Sequence, residues 1–315
     1  MGCKSMRQLH ARIGTLRQLE ILVAVYQSGS ITAASKSLHL TQPSVSMQLK
    51  KLADVVGVPL YDSIGRKLVF TQAGLEVVKS AREVLGCFER LEMKLSDMQG
   101  LKAGSLRLAV VNTAKYFIPH LLGEFLKAYP NIDVEFNVGN RQQIVDRIAS
   151  GEDDFYVFSH PPQDVGLELH EFLPNPLVAI AQETHPLASQ SNIDMADFSQ
   201  YPFLIREQGS GTRFAVERFF KTASATPNTR MTIASNEAIK HSVMSGLGVA
   251  ILSRHTLGFG GSQGLVELDV QQLPITTQWY FANLEDKQLS TVAATFLEYV
   301  SKQGRISMME QLDLG

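Results

Sequence analysis

The chain has 315 residues, of which 44% are hydrophobic, so it is long enough to form more than one domain with its own core. The net charge of −2 is unevenly distributed: residues 1–70 hold nine lysines and arginines against three acidic residues, and the rest therefore carries −8. The cysteines, Cys3 and Cys87, have no metal-ligand spacing, and no apolar run resembles a membrane span or a signal peptide. This composition excludes membrane-spanning and disulfide-rich secreted proteins. It predicts a cytoplasmic protein without a membrane partner, whose basic N-terminal block binds a polyanion unless the charge asymmetry is chance.

Short helices joined by a tight turn are predicted near the N-terminus. Apolar residues concentrate over residues 16–27, which predicts a first helix that Gly29 ends. Ser30 can cap a second helix over residues 31–38, and residues 39–40 then turn into a third helix. Two helices joined by so short a turn are typical of the helix-turn-helix.

The third helix, over residues 41–52, has the composition of a helix that reads DNA. Thr41 can cap it, and Pro43 lies in the first turn, where its missing N–H costs little. One face is apolar and consists of Val45, Leu49 and Leu52. The residues away from this face, most of them suited to base edges and phosphates, are Ser44, Ser46, Met47, Gln48, Lys50 and Lys51. By itself the pattern also fits an ordinary amphipathic surface helix.

A short hairpin with a basic tip is predicted after Gly57. Residues 58–62 and 68–70 form its arms, and the tip contains Gly65, Arg66 and Lys67. A cationic hairpin tip beside a recognition helix can reach a minor groove or the phosphate backbone. A solvated turn with ordinary surface charge is the alternative.

A long helix is predicted from Thr71, whose hydroxyl can cap it, to about residue 99. Apolar residues recur along it at steps of three and four: Leu75, Val78, Ala81, Leu85, Phe88, Leu91, Leu95 and Met98. A second copy of the helix is the simplest partner for so long a stripe, because a dimer would present two recognition helices at a spacing set by the duplex. Packing on the chain's own body is the alternative. Residues 100–104 have the composition of a hinge.

The pattern changes to alternating strands and helices from Ser105 onward. Strands are predicted at 106–111, 132–138 and 155–158, and a second run of alternating elements follows over 203–252. This alternation favours a largely parallel sheet and two α/β lobes, joined by strands near 172–181 and 276–283. Ligands of such proteins bind in the cleft, where strands end and helices begin.

Several polar residues are candidates for a ligand site in this cleft. Asn112 and Thr113 follow the first strand and can hold an anion, although simple helix capping is the alternative. In the Gly-rich stretch over residues 208–213, Arg213 can form a bidentate hydrogen bond with a carboxylate or phosphate. The alternative is that the stretch is only a turn between lobes. The predicted effector-binding residues are Asn112, Thr113, Ser159, His160, Ser210, Thr212, Arg213 and Asn236. A lone histidine such as His160 is more often structural.

No enzymatic constellation accompanies these residues. Ser210 has no base and orienting group that the sequence reveals, and residues 208–213 lack the Gly-Lys-Ser/Thr ending of a nucleotide-hydrolysing loop. We therefore predict a ligand-responsive DNA-binding regulator with no catalytic residues, no metal and no cofactor. A small-molecule binding protein or hydrolase that carries a nucleic-acid-binding module is the second hypothesis.

The order of these motifs resembles the LysR-type transcriptional regulators over nearly the whole chain after residue 14. In the first 100 residues the resemblance is carried by residues 16–19 (LRQL), 29–34 (GSITAA), 38–46 (LHLTQPSVS), 49–52 (LKKL), 57–61 (GVPLY) and 70–74 (FTQAG). Gly151 with Asp154, residues 185–187 and residues 245–250 are similar to the family's effector-domain markers.

The resemblance implies an α+β fold and a division into three parts. These are a winged helix-turn-helix over 15–70, a linker helix and hinge over 71–104, and a two-lobed α/β effector domain like the periplasmic binding proteins over 105–315. Lobe I would comprise 105–175 and 280–305, and lobe II 176–279. From Thr113 and Arg213 we predict a small anionic metabolite as the effector, and RNA polymerase is a candidate partner. The partners that the resemblance implies are double-stranded DNA with an inverted-repeat operator and further copies of the chain. Those copies would form a homodimer through the linker helix and a homotetramer of dimers.

The residues predicted to contact DNA follow from these positions and from the charge of the helix and the hairpin tip. They are Thr32, Gln42, Pro43, Ser44, Ser46, Gln48, Lys50, Lys51, Arg66 and Lys67. Three positions depart from the family's pattern: Met47 where many relatives have arginine, Ala53 where glutamate is usual, and Ser63 where a basic wing residue is common. Losing a cationic contact should weaken DNA binding uniformly and flatten its salt dependence.

Within the family, residues 110–119 and 138–141 look like the regulators of carbon-fixation operons. Those relatives sense phosphorylated sugars, related acids or reduced nicotinamide nucleotide. The aromatic run over residues 155–158 is richer than expected for that group, which leaves a different ligand open.

Overall fold

The computed structural model describes residues 15–64, 67–98 and 103–312, which form two compact units that divide between Leu95 and Ser96. The first unit contains helices α1 (Leu16–Ser28), α2 (Ile31–Ser37) and α3 (Gln42–Val56), then strands β1 (Tyr61–Ile64) and β2 (Lys67–Phe70). The strands pair antiparallel in register from Tyr61↔Phe70 to Ile64↔Lys67. This arrangement confirms the predicted winged helix-turn-helix.

Local chemistry sets the ends of these helices as the sequence predicts. Gly29 ends α1 with a φ of 63°, and the Ser30 hydroxyl caps α2 by accepting from the Ala33 amide at 3.4 Å. Thr41 caps α3 through the Ser44 amide at 3.3 Å. The apolar face of α3, formed by Val45, Leu49 and Leu52, is completely buried. The helix therefore packs against the core of the unit through one face, and its opposite face is exposed and can contact a partner.

Helix α4 (Gln72–Met98) follows, capped by Thr71, whose hydroxyl accepts from the Gly74 amide at 3.0 Å. A side chain at Gly74 would have its Cβ only 1.8 Å from the Leu60 carbonyl oxygen, so only glycine permits this close approach.

The predicted apolar stripe of α4 divides into two parts. Val78 and Ala81 are buried in the core of the first unit, whereas Phe88, Leu91 and Leu95 are 48–50% exposed. Packing on the chain's own body therefore applies to the first part, whereas the side chains of the second part are about half exposed.

The second unit begins with a parallel βαβαβ arrangement that forms lobe I. Its elements are β3 (Gly104–Val111), α5 (Ile118–Ala128), β4 (Ile132–Gly139), α6 (Arg141–Ile148) and β5 (Phe155–Phe158). Strand β3 pairs in parallel with both β4 and β5. Thr113 does not cap α5, because a short 3-10 turn over Ala114–Tyr116 lies between them, and the Thr113 side chain makes no capping bond to that turn. The aromatic run of β5 is fully buried, and most of it builds the core.

The remaining elements form lobe II and return to lobe I. They are β6 (Leu167–Gln182), α7 (Met195–Gln200), β7 (Pro202–Arg206), α8 (Gly211–Thr222), β8 (Asn228–Ile233), α9 (Asn236–Met244), β9 (Ala250–Ser253), α10 (His255–Gly258), β10 (Leu265–Leu268), β11 (Ile275–Leu284), α11 (Thr291–Tyr299) and α12 (Arg305–Gln311). A π-helical turn over Val300–Gly304 joins the last two helices.

Two long antiparallel strands connect the lobes. Strands β6 and β11 pair from Leu167↔Leu284 to Leu177↔Ile275, which agrees with the crossing strands expected from the sequence. The resulting sheet has the order β10-β6-β11-β5-β3-β4, with β9 also paired to β6, while β7 and β8 form a separate parallel pair. The expectation of a largely parallel sheet was wrong, because the two crossing strands make every pair in which they take part antiparallel.

Among the described residues, no helix is both long enough and apolar enough to cross a membrane, and no cluster of side chains could hold a metal ion.

Candidate functional site

Helix α3 presents a polar face directly opposite its buried stripe. Met47 is 50% exposed. It lies on the same face of the helix as Pro43, Ser46 and Lys50, which are one to four residues away along the chain. Ser44, Gln48 and Lys51 form an adjoining row, in which Ser44 and Gln48 are partly buried. On α2, Thr32 is exposed. The surface has the mixed hydroxyl, amide and ammonium chemistry that suits a major groove and its phosphates.

Two residues of that adjoining row have partners inside the protein. The Ser44 hydroxyl lies 2.9 Å from the Thr41 hydroxyl, and Gln48 Oε1 accepts from Gln18 Nε2 at 2.8 Å. Of the predicted wing contacts, Arg66 and the side chain of Lys67 lie outside the described residues. Their contacts with DNA remain predictions.

A cleft of about 310 Å³, part of it open to solvent, lies between the lobes of the second unit. Its polar lining consists of Asn112, Thr113, Asn140, Arg141, Ser159, His160, Arg206, Ser210 and Thr212. Asn140 and Ser210 are the N-caps of α6 and α8, so both helices begin at the cleft wall. Since helix N-termini carry partial positive charge, this geometry favours an anion.

Among the residues that the structure describes, the charged members of the lining are two arginines, and no carboxylate lines the cleft. Arg206 is buried and already paired, since its guanidinium donates to both carboxylate oxygens of Glu207 at 2.8 and 3.0 Å. Arg141 donates from Nε to the His160 carbonyl at 2.7 Å, and within the described chain it forms no ion pair. Arg141 therefore supplies positive charge that an incoming anion can neutralise.

The electrostatics at His160 agree with this positive environment. Burial, together with the nearby charges of Arg141 and Arg218, lowers the pKa of His160 to about 4. The imidazole is therefore neutral near pH 7, and its Nδ1 lies 3.1 Å from the Ser159 hydroxyl. A neutral histidine can offer a hydrogen bond to an anion without adding charge.

Most of the predicted effector-binding residues meet at this cleft. Asn112, Thr113, Ser159, His160, Ser210 and Thr212 all line it. Asn236 lies behind the lining, where its Nδ2 donates to the Thr113 hydroxyl at 3.3 Å and its Oδ1 accepts from Arg206.

Arg213 is the exception among the predicted residues. It is not part of the lining, because its guanidinium donates to Glu217 one turn along α8 at 2.7 Å and to the Arg206 carbonyl at 3.0 Å. The structure thus places the charge at Arg141 and Arg206, which the sequence reasoning did not select. Both lie where a strand gives way to a loop or helix, which is the signal that singled out Asn112 and Thr113.

Ser210, the candidate nucleophile of the hydrolase hypothesis, has an ordinary structural contact. Its hydroxyl caps α8 by accepting from the Arg213 amide at 3.4 Å. The contact gives no support to covalent catalysis.

Hydrogen bonds also join the two lobes behind the cleft. The Tyr116 hydroxyl donates to Glu237 Oε1 at 2.5 Å, and burial together with this bond raises the pKa of Tyr116. Glu237 in turn pairs with the buried Lys240 at 3.1 Å, and Lys240 donates to the Gly260 carbonyl at 2.7 Å. These contacts hold the two lobes against each other in this structure.

Comparison with known families accounts for both units. Residues 16–75 match the bacterial regulatory helix-turn-helix protein of the lysR family, and residues 99–305 match the LysR substrate binding domain. Together the two matches cover most of the chain.

Full-length relatives regulate transcription. The HTH-type transcriptional activator CmpR of Synechocystis is 46% identical over 287 residues, which cover 91% of this chain and 94% of CmpR. The RuBisCO operon transcriptional regulator of Acidithiobacillus ferrooxidans is 38% identical over 92% of this chain and 94% of its own. Among solved structures, the regulatory domain of Synechocystis PCC6803 CcmR in complex with 2-PG is 47% identical, with a TM-score of 0.61. That match covers 62% of this chain and 95% of the CcmR domain.

Proposed function

Because the chain belongs to the LysR family of transcriptional regulators, we propose that it controls a carbon-fixation operon in response to a small anion bound between the lobes of its second unit. The first unit binds double-stranded DNA through α3, and a homodimer presents two copies of α3 to an inverted-repeat operator. Tetramers of such dimers would act with RNA polymerase in the cytoplasm. The named relatives are transcriptional regulators, and we propose no enzymatic activity for this chain.

The observation that carries the effector proposal is Arg141, an arginine without an ion-pair partner among the described residues, in a cleft whose lining contains no carboxylate. A small phosphorylated acid matches this chemistry, since its phosphate can accept from Arg141 and from the helix N-termini. The hydroxyls of Thr113, Ser159 and Thr212 supply further donors. The 2-PG complex of CcmR supports this class of ligand, because that domain is 47% identical to the corresponding part of this chain.

We expect thermal-shift titration of the full-length protein to identify the effector class. The abbreviation 2-PG applies to 2-phosphoglycolate and to 2-phosphoglycerate, so both are tested. Each should raise the melting temperature in a saturable manner. Reduced nicotinamide nucleotide should raise it less because the dinucleotide is large for this cleft, and uncharged sugars should raise it less because they carry no charge to pair with Arg141. If no phosphorylated acid shifts the transition, the proposed effector class is wrong.

Replacing Arg141 by alanine should weaken binding of the effective phosphorylated acid by about 30- to 150-fold, since about 2 to 3 kcal/mol of charged hydrogen bonding is lost. Isothermal titration calorimetry measures this change. The matched control is Arg213→Ala, which removes an arginine nearby whose guanidinium does not line the cleft. If Arg213→Ala weakened binding and Arg141→Ala did not, the anion site would be centred on Arg213.

The proposed dimer uses the exposed part of the α4 stripe, formed by Phe88, Leu91, Leu95 and Met98. Three of these side chains are about half exposed and Met98 is 84% exposed. Apolar side chains at steps of three and four on one helix are the pattern that packs against a second helix.

Replacing Met47 by arginine should raise the affinity for DNA of any sequence by roughly tenfold at 0.1 M salt. The side chain lies at the centre of the exposed face of α3, so a cation there can reach a phosphate. Fluorescence anisotropy over a series of salt concentrations should show a log–log slope steeper by about one to two, since the dimer gains one contact per subunit. Met47→Gln is the neutral control. An unchanged nonspecific affinity would show that Met47 does not face the duplex.

A further inference from the structure

A glutamine of α1, Gln18, lies in the interior of the DNA-binding unit. The side chain is 9% exposed and lies one turn before Leu22, which is completely buried. Its Nε2 donates to Gln48 Oε1 on α3 at 2.8 Å. Its own Oε1 is buried and has no hydrogen-bond partner among the residues that the structure describes. An amide with one unpaired buried oxygen is a poor contribution to stability, so the contact with Gln48 is what Gln18 supplies to the unit.

This hydrogen bond has a direction that constrains Gln48. The amide oxygen of Gln48 is engaged by α1, while its Nε2 donates to nothing else within the described chain. Gln48 is partly exposed in the row of α3 residues beside Met47. An amide held in this way offers N–H donors to a partner and turns its acceptor toward the protein.

We propose that Gln18 is a specificity-determining positioning residue, which restricts Gln48 to donating hydrogen bonds to base edges. The proposal rests on the proposed insertion of α3 into the major groove. In that groove guanine presents two acceptors and thymine presents one, cytosine presents only a donor, and adenine presents one acceptor beside an amino donor that a donor-only amide leaves unpaired. The usual bidentate contact of glutamine with adenine needs the amide oxygen on the side of the bases, and the bond from Gln18 turns that oxygen toward the protein. Gln48 therefore selects guanine or thymine at one position of each half-site.

Selection from a randomised duplex library, with full-length protein and sequencing of the bound DNA, tests this assignment. The wild-type protein should prefer guanine or thymine at one half-site position by about tenfold, and Gln48→Ala should lose that preference. Gln18→Leu releases the oxygen of Gln48, so adenine should become accepted at the same position. Gln18→Glu can only accept from Gln48, so the Gln48 amide should turn over and the preference should move to cytosine or adenine. The salt dependence of nonspecific binding should stay unchanged in both Gln18 variants.

The outcomes separate this inference from the function on which it rests. If Gln48→Ala keeps the wild-type profile, Gln48 reads no base and the proposed role of this side chain in the groove is wrong. If Gln48→Ala loses the preference while Gln18→Leu and Gln18→Glu keep it, the inference about Gln18 is overturned. A uniform loss of affinity with an unchanged profile overturns it too, because a merely structural residue would act in that way. Gln18→Met, of similar length, replaces Gln18→Leu if circular dichroism shows that the leucine variant does not fold.

Discussion

Introducing glutamate at both Leu91 and Leu95 is expected to lower the affinity of the full-length protein for an inverted-repeat operator by about 10²- to 10⁴-fold. The two leucines are 49% and 50% exposed on the stripe of α4 that we assign to dimerisation. Four carboxylates would meet at the interface, and the two recognition helices would no longer bind as one unit. Sedimentation equilibrium should show a monomer, and gel-shift titration should show the loss of operator affinity.

The matched control for this experiment changes the other side of the same helix. Arg90→Gln combined with Met93→Glu alters the charge by the same amount, on residues that lie away from the stripe. This variant should remain a dimer and lose affinity only through its extra negative charge. If both double variants bound the operator equally well, the α4 stripe would not be the dimer interface.

The second expected result concerns a buried ion pair in lobe I. Replacing Arg147 by methionine should destabilise the second unit by about 3 to 5 kcal/mol at pH 8, because Asp153 would be left buried without its partner. The Asp153 side chain is fully buried, and its two carboxylate oxygens accept from Arg147 at 2.7 and 3.0 Å. The single tryptophan, Trp279, is buried in this unit, so its fluorescence reports the unit's unfolding without a signal from the DNA-binding unit.

The pH dependence of this variant follows from the carboxyl group. Burial raises the pKa of Asp153, and the Arg147 guanidinium opposes that effect, so the variant should have a still higher pKa in the folded state. A carboxyl group whose folded pKa exceeds its unfolded pKa costs stability above both values, and the cost disappears as pH falls through the folded pKa. The difference in the free energy of unfolding between the variant and the wild type should therefore become smaller as the pH is lowered from 8 to 5. Arg147→Met with Asp153→Asn should recover much of the loss, and a constant gap across this range would contradict the account.

The DNA-binding unit was predictable from sequence because its signals are local. Thr41, Pro43 and Gly57 mark the ends of α3 by their own backbone preferences, and Val45, Leu49 and Leu52 mark its buried face. The division of the α4 stripe was not predictable. Its residues are apolar throughout, and only the fold decides which of them meet the core of their own unit.

The sequence predicted where the cleft lies better than it predicted which arginines supply its positive charge. The rule that ligands bind where parallel strands end selected Thr113, Ser159 and Ser210, and all three line one cleft in the structure. It could not rank the arginines, because the pairing of Arg213 with Glu217 and of Arg206 with Glu207 depends on side-chain directions. The sequence does not single out Arg141, because it does not reveal which cation lacks a carboxylate partner in the fold.

The return of β11 to the first lobe has a consequence for synthesis on the ribosome. The sheet of lobe I is completed by β11, and its core includes Phe281 and Phe296, so this lobe stays unfinished until the C-terminal segment has been made. The DNA-binding unit ends near Leu95 and can fold earlier by about 10 to 40 s at ordinary rates of translation. A chain terminated within lobe II would therefore contain a complete DNA-binding unit and no complete effector cleft. Such a fragment would occupy operators without responding to the metabolite.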